Sequence, residues 1–298
     1  MKNIIFTLFL ILGFLPSNII HSQSVLLSEV CLSQNMHDDR YASYSPDGSK
    51  IVFESNRNGH WDIYIMGNKG QNQQRITFDK GDDRRPSWHP SGKKILFESD
   101  RGGKKKLYVL NIKNKKIKEI PNSNLKQEWI FGNFSPNGKY IAVSAKESED
   151  KSNILLLKKN GKIKKWLTKN EFRNYYPRWS PDGNEIIYFS RKHTDNKDDE
   201  IYRMNIGNGK ESRLTNWPKH NFCPSWSSSG SRVVYVTSME GTRPEIYIMD
   251  ADGGNQVRVT HNQDGDTLPD WSPKGSKLLI TGYRGGNFEI CELELDLD

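Results

Sequence analysis

The sequence predicts an all-β fold, a six-bladed β-propeller of four-stranded antiparallel blades. A five-residue motif, Trp-Ser-Pro-Asp-Gly in its fullest form, recurs with its first residue at 44, 88, 134, 179, 226 and 271. Each repeat contains four short apolar segments separated by turn signals, at a spacing of about ten residues. No stretch of 25–298 keeps a helical period over a helical length. Four strands cycled at a near-constant period are typical of propeller blades.

The first repeat shows each element of a blade. Its turn at 45–48 reads Ser-Pro-Asp-Gly, in which Pro presets φ, Asp bonds nearby backbone and Gly accepts a positive φ. Further turns follow the second and third apolar segments. The four strands predicted for this repeat lie at 40–44, 50–55, 62–66 and 74–78.

The two ends of the chain predict how the ring closes. The sixth repeat has three strand-like segments and then the chain stops, whereas Val25–Ser33 precedes the first repeat and resembles a spare fourth strand. Ser33 lies six residues before Asp39, as Thr77 lies six before Asp83. We therefore expect the N-terminal strand to pair into the last blade, which removes the free edges of the ring.

The cysteines test this closure. In several blades a Tyr on the third strand is followed eleven residues later by an Arg, as in Tyr64 and Arg75. By the same alignment Cys291 takes the Tyr position of the last blade and Cys31 the Arg position of the closing strand. We expect the two to be adjacent, either as a disulfide or as two buried thiols. Cys223 is expected to be a buried free thiol.

The N-terminus has the character of a secretory signal. Lys2 is followed by an apolar run of about a dozen residues, shorter than the roughly 20 that a membrane span needs. We predict a signal peptide at 1–22 and a single propeller domain at 23–298, although cleavage after Ser24 is an alternative. The protein is then periplasmic or secreted, does not span a membrane, and has little access to nucleic acid despite its formal charge of +8.

Several stretches carry a resemblance to a known family. They are Pro86–Gly92, Ser99–Gly103, Asp62–Met66 and Arg75–Thr77. In combination they resemble the TolB-type propeller repeat, over essentially the whole predicted mature chain. The resemblance implies the propeller fold, and the same blades occur in the periplasmic Tol–Pal protein, in propellers attached to serine peptidases and in other exported proteins. The α/β domain that precedes the propeller in TolB is expected to be absent, and the chain has no G-x-S-x-G stretch like that of propeller-linked peptidases.

One ring of residues is the candidate ligand site. The residue five before each motif aromatic is expected to point to the channel mouth. These six residues are Asp39, Asp83, Trp129, Asn174, Asn221 and Asp266, and all but Trp129 are Asp or Asn. Such oxygens could hold a hard cation such as Ca²⁺, or contact a peptide or sugar. The alternative is local, because Asp and Asn also bond backbone at strand starts. The residues that flank the ring are Arg40, Arg84, Arg85, Tyr175, Tyr176 and Phe222.

The tryptophans divide into two groups. Those of the repeated motif are expected to pack between blades, whereas Trp61, Trp129 and Trp217 lie outside the motif and are better candidates for exposure. Lysines cluster at the outer hairpins of blades 2 and 3. They are typical of protected sheet edges, although attraction to an anionic glycan is an alternative.

The sequence favours a non-catalytic, monomeric scaffold that binds a protein or cell-envelope partner at its channel mouth and needs no cofactor. The alternative is a propeller-type glycan lyase or hydrolase that acts on an anionic polysaccharide. His37, His220 and His261 near the predicted mouth keep that alternative open, although their offsets from the motif differ. Two or three histidines within metal-binding distance would favour the enzyme.

Overall fold

The fold consists of six separate four-stranded antiparallel sheets. The computed structural model describes residues 25–122, 127–193, 198–216, 220–238 and 243–297, and these ranges contain strands and turns but no helix. Each sheet is one blade, and blades 1 to 5 each take four consecutive strands. The predicted six-bladed propeller is confirmed. The predicted signal peptide at 1–22 and Trp217 lie outside the described residues.

The strands of blades 1 to 3 are β2 (Asp39–Tyr44), β3 (Lys50–Ser55), β4 (Asp62–Gly67) and β5 (Gln74–Arg75); β6 (Asp83–Trp88), β7 (Lys94–Ser99), β8 (Lys106–Asn111) and β9 (Ile117–Glu119); and β10 (Glu128–Phe134), β11 (Tyr140–Lys146), β12 (Ser152–Lys158) and β13 (Ile163–Trp166). Those of blades 4 to 6 are β14 (Asn174–Trp179), β15 (Glu185–Ser190), β16 (Glu200–Asn205) and β17 (Glu211–Arg213); β18 (Asn221–Trp226), β19 (Arg232–Thr237), β20 (Glu245–Asp250) and β21 (Val257–Arg258); and β22 (Asp266–Trp271), β23 (Lys277–Arg284), β24 (Asn287–Leu295) and β1 (Leu26–Cys31).

The first strand of each blade is the innermost, and it contacts the first strands of both neighbouring blades. These six strands line a central channel. We call the face where they begin, at Asp39 and its equivalents, the upper face. The opposite, lower face carries the motif turns such as 45–48. Among the described residues, no helix has the length and apolar character needed to cross a membrane.

The N-terminal strand closes the ring as predicted. β1 pairs with β24 in the last blade, and Ser33 Oγ accepts the backbone N–H of Ile290 at 2.9 Å. In blade 1, Thr77 Oγ1 accepts the N–H of Ile63 at the same 2.9 Å. The closing segment therefore repeats the hydrogen bonding of an ordinary fourth strand.

The cysteine pairing is confirmed by the register of the closing strand. Cys31 lies opposite Cys291, as Arg75 lies opposite Tyr64 in blade 1, and the two cysteines form a disulfide. This settles the alternative of two thiols. Cys223 is a buried free cysteine, as expected.

The core lies between neighbouring blades. The second strand of a blade is buried on both faces, as in 51–55 of β3, because each sheet is packed between two others. One cluster shows the arrangement, since Val52 and Ile63 of blade 1 pack with Ile95 and Phe97 of blade 2. This explains why the second strands are near-continuous apolar runs.

The repeated turn links neighbouring blades. In blade 1, Asp47 Oδ1 accepts the Oγ–H of Ser45 at 2.6 Å and the N–H of Ser49 at 3.0 Å, which fixes the turn. The Gly of a turn lies against the Pro of the preceding blade, as Gly183 lies against Pro136. The motif is therefore part of the scaffold.

Replacing Gly183 by alanine is expected to lower the free energy of unfolding by about 1–2 kcal/mol, because an L-residue in the left-handed region meets its own carbonyl. Gly183 has φ +74°. The added Cβ itself would meet Pro136 at an ordinary 3.6 Å, so backbone strain is the cause. Denaturant unfolding measures the loss. Gly102→Ala is the control, since its Cβ has room and its φ is not in the left-handed region; equal losses would contradict the explanation.

Each innermost strand contains a β-bulge with a non-glycine residue at positive φ. These residues are Tyr41, Arg85, Phe131, Tyr176, Cys223 and Leu268, with φ between 49° and 61°. They occupy one position per repeat, and apart from Arg85 they belong to one apolar cluster. Positive φ is uncommon outside glycine, so its recurrence in all six blades shows that the bulge is a regular part of this fold. Their side chains pack across the channel and separate its upper mouth from its lower half.

Side chains of the preceding blade stabilise the bulges. The backbone N–H of Arg85 donates to a carboxylate oxygen of Glu54 at 2.6 Å, and that of Phe131 donates to Glu98 at 2.7 Å. Both glutamates are on second strands and are buried. The bulges therefore hold neighbouring blades together.

Candidate binding site at the upper channel mouth

The predicted Asp/Asn ring is buried within the blades. Asp39, Asp83 and Asp266 are each fully buried, and each carboxylate binds an arginine of its own blade that follows 18 residues later in the chain. The pair in blade 2 has short contacts to both carboxylate oxygens, with Arg101 Nη2 at 2.7 and 2.8 Å from the two oxygens of Asp83. These contacts support the local alternative for the three aspartates, since their oxygens are already bound.

The two asparagines of the ring also bond within the protein. Asn174 Nδ2 donates to the backbone oxygen of Ser152 at 2.9 Å, and Asn221 Nδ2 donates to Glu200 at 3.2 Å. Both side chains are buried. The ring residues thus anchor strand starts and loops, and they do not line an opening.

The sequence predicts Trp129 to be exposed and to lie at the channel mouth, and its side chain does neither. It is 1% exposed and packs in a cluster with Leu96 and Leu107 of blade 2. The residue opposite it is Ala145, where the equivalent position in blades 1 and 2 is Ser. The small alanine leaves room for the indole in the core.

The structure brings Arg40 and Arg84 together in a different arrangement. The Arg40 guanidinium lies 3.9 Å from the ring centroid of Phe288 and 5.3 Å from that of Trp61. The guanidinium of Arg84 lies 4.3 Å from the same Trp61 ring. Tyr283 continues the row, with its ring centroid 5.3 Å from that of Phe288. We call these five residues the arginine–aromatic stripe.

The stripe crosses blades 6, 1 and 2 on the upper face and is partly exposed. Asp38 pairs with Arg40 at 2.8 Å and Glu54 pairs with Arg84 at 3.0 Å. The two arginine side chains keep 28% and 25% of their surface exposed. Because carboxylates and aromatic faces hold the guanidinium groups in place, the stripe presents a preorganised surface of Arg and Trp.

Exposed apolar side chains extend this face. Met36 is 90% exposed and Phe78 is 64% exposed, and both lie in loops that lead into innermost strands. Phe172 occupies a similar loop before blade 4 and is also exposed. Large exposed apolar groups beside aromatic and Arg side chains are typical of surfaces that bind proteins.

Tyr175 belongs to the buried side of the mouth. Its ring lies 5.7 Å from that of Phe131 and 6.1 Å from that of Phe189, between blades 3 and 4. Burial raises the pKa of its hydroxyl. Arg85 is held below the mouth, with Nη1 2.6 Å from Glu98. These residues therefore shape the mouth from below and present little surface of their own.

The histidines do not converge. His37 and His261 are exposed, whereas His220 Nδ1 accepts the N–H of Asp199 at 3.1 Å. Within the described part of the chain, the side chains grouped closely enough to share a metal ion are Glu29, Cys31 and Cys291, two of which form the disulfide.

A sequence profile of the TolB beta propeller domain matches residues 33–197, 116–242 and 177–297. The chain belongs to the TolB beta propeller family. The matched ranges overlap and together extend from the closing segment to the end of the last blade, which agrees with the six observed sheets.

Solved structures agree with this membership. TolB from Acinetobacter baumannii superposes with a TM-score of 0.69 at 20% identity, over 87% of this chain and 63% of TolB. A putative TolB from Agrobacterium tumefaciens gives 0.63 at 26% identity, over 75% and 86%. Oligogalacturonate lyase from Vibrio parahaemolyticus gives 0.64 at 11% identity, over 89% and 93%. The chain thus spans less than two thirds of the Acinetobacter TolB, and the lyase likeness shows the fold alone.

The sequence did not predict two parts of this candidate site. The carboxylate–arginine pairs had a signal, because Asp39, Asp83 and Asp266 are each followed 18 residues later by an arginine. Phe288 and Tyr283 had none, since they reach Arg40 only across the junction between the last and first blades.

Proposed function

We propose that this protein is an exported, non-catalytic TolB-family propeller that binds a protein or cell-envelope partner on its upper face. The arginine–aromatic stripe is the observation that carries the proposal. Trp and Arg are the residues most enriched at binding hot spots, because they bury large area while keeping polar groups for the partner. The charges of the stripe also suit a partner with carboxylate groups.

Export is part of the proposal. Residues 1–22 would direct it, and the Cys31–Cys291 disulfide fits an oxidising compartment such as the periplasm. We further propose that the protein acts as a monomer and that partner binding survives chelation of calcium.

Changing Trp61 to alanine is expected to weaken partner binding about 30-fold, which corresponds to the loss of about 2 kcal/mol from a hot spot. The guanidinium groups of Arg40 and Arg84 both lie over the Trp61 ring, so its removal takes an aromatic contact from each of them. Affinity capture from the cell envelope identifies the partner, and calorimetry with the purified partner measures the dissociation constant.

Arg40→Ala should give a similar loss, and Arg203→Ala is its matched control. Arg203 also pairs with a glutamate, Glu185 at 3.2 Å, and is similarly exposed at 33%, but it lies on β16 away from the stripe. Retained affinity in Trp61→Ala and Arg40→Ala would contradict the proposal.

The second candidate function is a glycan lyase on an anionic polysaccharide. It is favoured by the likeness in fold to oligogalacturonate lyase and by two partly exposed arginines that could bind uronate carboxylates. Incubation with polygalacturonate tests it through the ultraviolet absorbance of unsaturated products. Our proposal expects none; product whose formation requires Arg84 would favour the lyase.

A further inference from the structure

The lower half of the central channel contains a cavity that the proposed function does not use. It has a volume of about 170 Å³ and lies below the bulge residues Tyr41, Tyr176 and Leu268. A second cavity of about 260 Å³ shares Arg178 and Asp270 with it and extends to the motif turns of the lower face. Together they form a pocket that opens on the lower face.

Polar side chains form a ring around this pocket. They stand directly before the motif aromatics, one from each blade: Ser43, Ser87, Asn133, Arg178, Ser225 and Asp270. Several bond to their neighbours, since Ser87 Oγ donates to the oxygen of Gly132 at 2.9 Å and Asn133 Nδ2 donates to that of Pro177 at 2.5 Å. The ring is therefore fixed in position, and two of its members have bonding capacity left.

Arg178 is the first of these two. Its guanidinium lies 3.9 Å from the ring centroid of Tyr176, and no carboxylate among the described residues is within 4.0 Å of it. Arg40 and Arg84 of the upper face and Arg85 of the bulge differ, because each has a carboxylate partner. Stacking on Tyr176 orients the guanidinium and leaves its N–H donors available.

Ser43 is the second. Its Oγ is buried, and no hydrogen-bond partner for it occurs within the described residues. Ser43 lines the same cavity as Arg178. A buried hydroxyl without a partner costs free energy unless a ligand or solvent bonds to it.

We infer that the lower half of the channel binds the carboxylate group of a small organic acid, with Arg178 as the cation that recognises it. The planar guanidinium offers two parallel N–H donors that match the two oxygens of a carboxylate. The Ser43 hydroxyl supplies a further donor. A volume of about 170 Å³ holds about five water volumes, which suits an acid of the size of acetate or succinate.

Asp270 is expected to make this binding pH-dependent. Burial raises the pKa of its carboxyl to about 6, although the charge of Arg178 and a hydrogen bond from Ser225 lower it. The other titratable groups that line the cavity with it are the phenols of Tyr41, Tyr44 and Tyr176, which stay neutral because burial raises their pKa. Below pH 6 Asp270 is uncharged and no longer repels an anion. Affinity for a carboxylate should therefore rise as the pH falls through 6.

Titration of the full-length protein with acetate and succinate, followed by NMR, tests the inference, with acetamide and succinamide as neutral counterparts. The acids should bind in the millimolar range and shift the Arg178 Nε–H signal, and the amides should not. Arg178→Gln should weaken binding about ten-fold or more. Asp270→Asn should strengthen it at neutral pH and abolish its pH dependence.

Lys139→Gln is the matched control, since it removes one positive charge from an exposed motif turn on the same face. Arg178→Lys serves as a second variant if Arg178→Gln does not fold, because it keeps the charge and loses the paired donors. Acids that bind no better than amides, or that bind Arg178→Gln and wild type alike, would overturn the inference. A short peptide that binds through Arg178 more tightly than its C-terminally amidated form would identify a protein terminus as the source of the carboxylate. Equal binding of the two peptide forms would point to a free acid.

Discussion

Replacing Glu98 by alanine is expected to lower the free energy of unfolding by about 3–5 kcal/mol, because it leaves the Arg85 guanidinium, which is only 21% exposed, without its carboxylate partner. Glu98 is 1% exposed and accepts hydrogen bonds from Arg85 Nη1 at 2.6 Å and from the backbone N–H of Phe131 at 2.7 Å. Both donors come from bulges of innermost strands. The loss should appear in thermal and denaturant unfolding, and the upper mouth should be perturbed along with it.

Glu119→Ala is the control in the same blade. Glu119 pairs with Lys106 at 2.9 Å, but the two side chains are 39% and 29% exposed, whereas Glu98 is buried. Exposed pairs contribute about 0–1 kcal/mol, so this variant should unfold nearly as the wild type does. Glu98→Gln should fall between the two, since it keeps acceptors for Phe131 but not the charge that Arg85 needs. Similar losses for the two alanine variants would show that the buried pair does not hold the blades together.

Removing the disulfide by Cys31→Ala and Cys291→Ala together is expected to cost about 2–4 kcal/mol. The bond closes a loop with a sequence separation of 260 residues, so it strongly restricts the unfolded chain. The melting temperature should fall by about 5–10 °C, given the usual relation between free energy and melting temperature for a domain of this size.

Reductant provides the control for the disulfide. Wild-type protein melted with reductant should unfold at the temperature of the double variant, and the variant itself should not respond. A wild-type melting temperature that ignores reductant would contradict the stabilising role. Because Cys223 is a buried free cysteine, it should not contribute to the difference.

The closure of the ring could be predicted in detail because the strand offsets of one blade can be compared with those of the other blades. The eleven-residue spacing from Tyr64 to Arg75 recurs in other blades, so the same offset predicts Cys31 opposite Cys291, as the structure has them. In a repeat protein, the register of the third and fourth strands in one blade therefore predicts the register in the other blades. The fourth strand of blade 1 is shorter than predicted, at Gln74–Arg75.

The candidate site was only partly predictable, for a physical reason. The repeat position of a residue predicts that it lies at the start of an innermost strand. It does not predict which neighbouring side chain forms an ion pair with it. The ring prediction places Asp83 at an opening, yet Arg101 from the turn after β7 binds it in the interior. The arginine–aromatic stripe combines residues from three blades. The distances between them depend on how separate hairpins tilt, and the repeat pattern does not contain that information.

The bond between Cys31 and Cys291 also makes the oxidised chain a covalent circle from the first strand to the last. A single cut by a protease in any surface loop between these two residues opens the circle but releases no fragment. A nicked molecule would therefore keep its full mass in electrophoresis until a thiol reagent is added. All six blades would remain tethered after the first cut, so the damaged propeller could refold as one molecule.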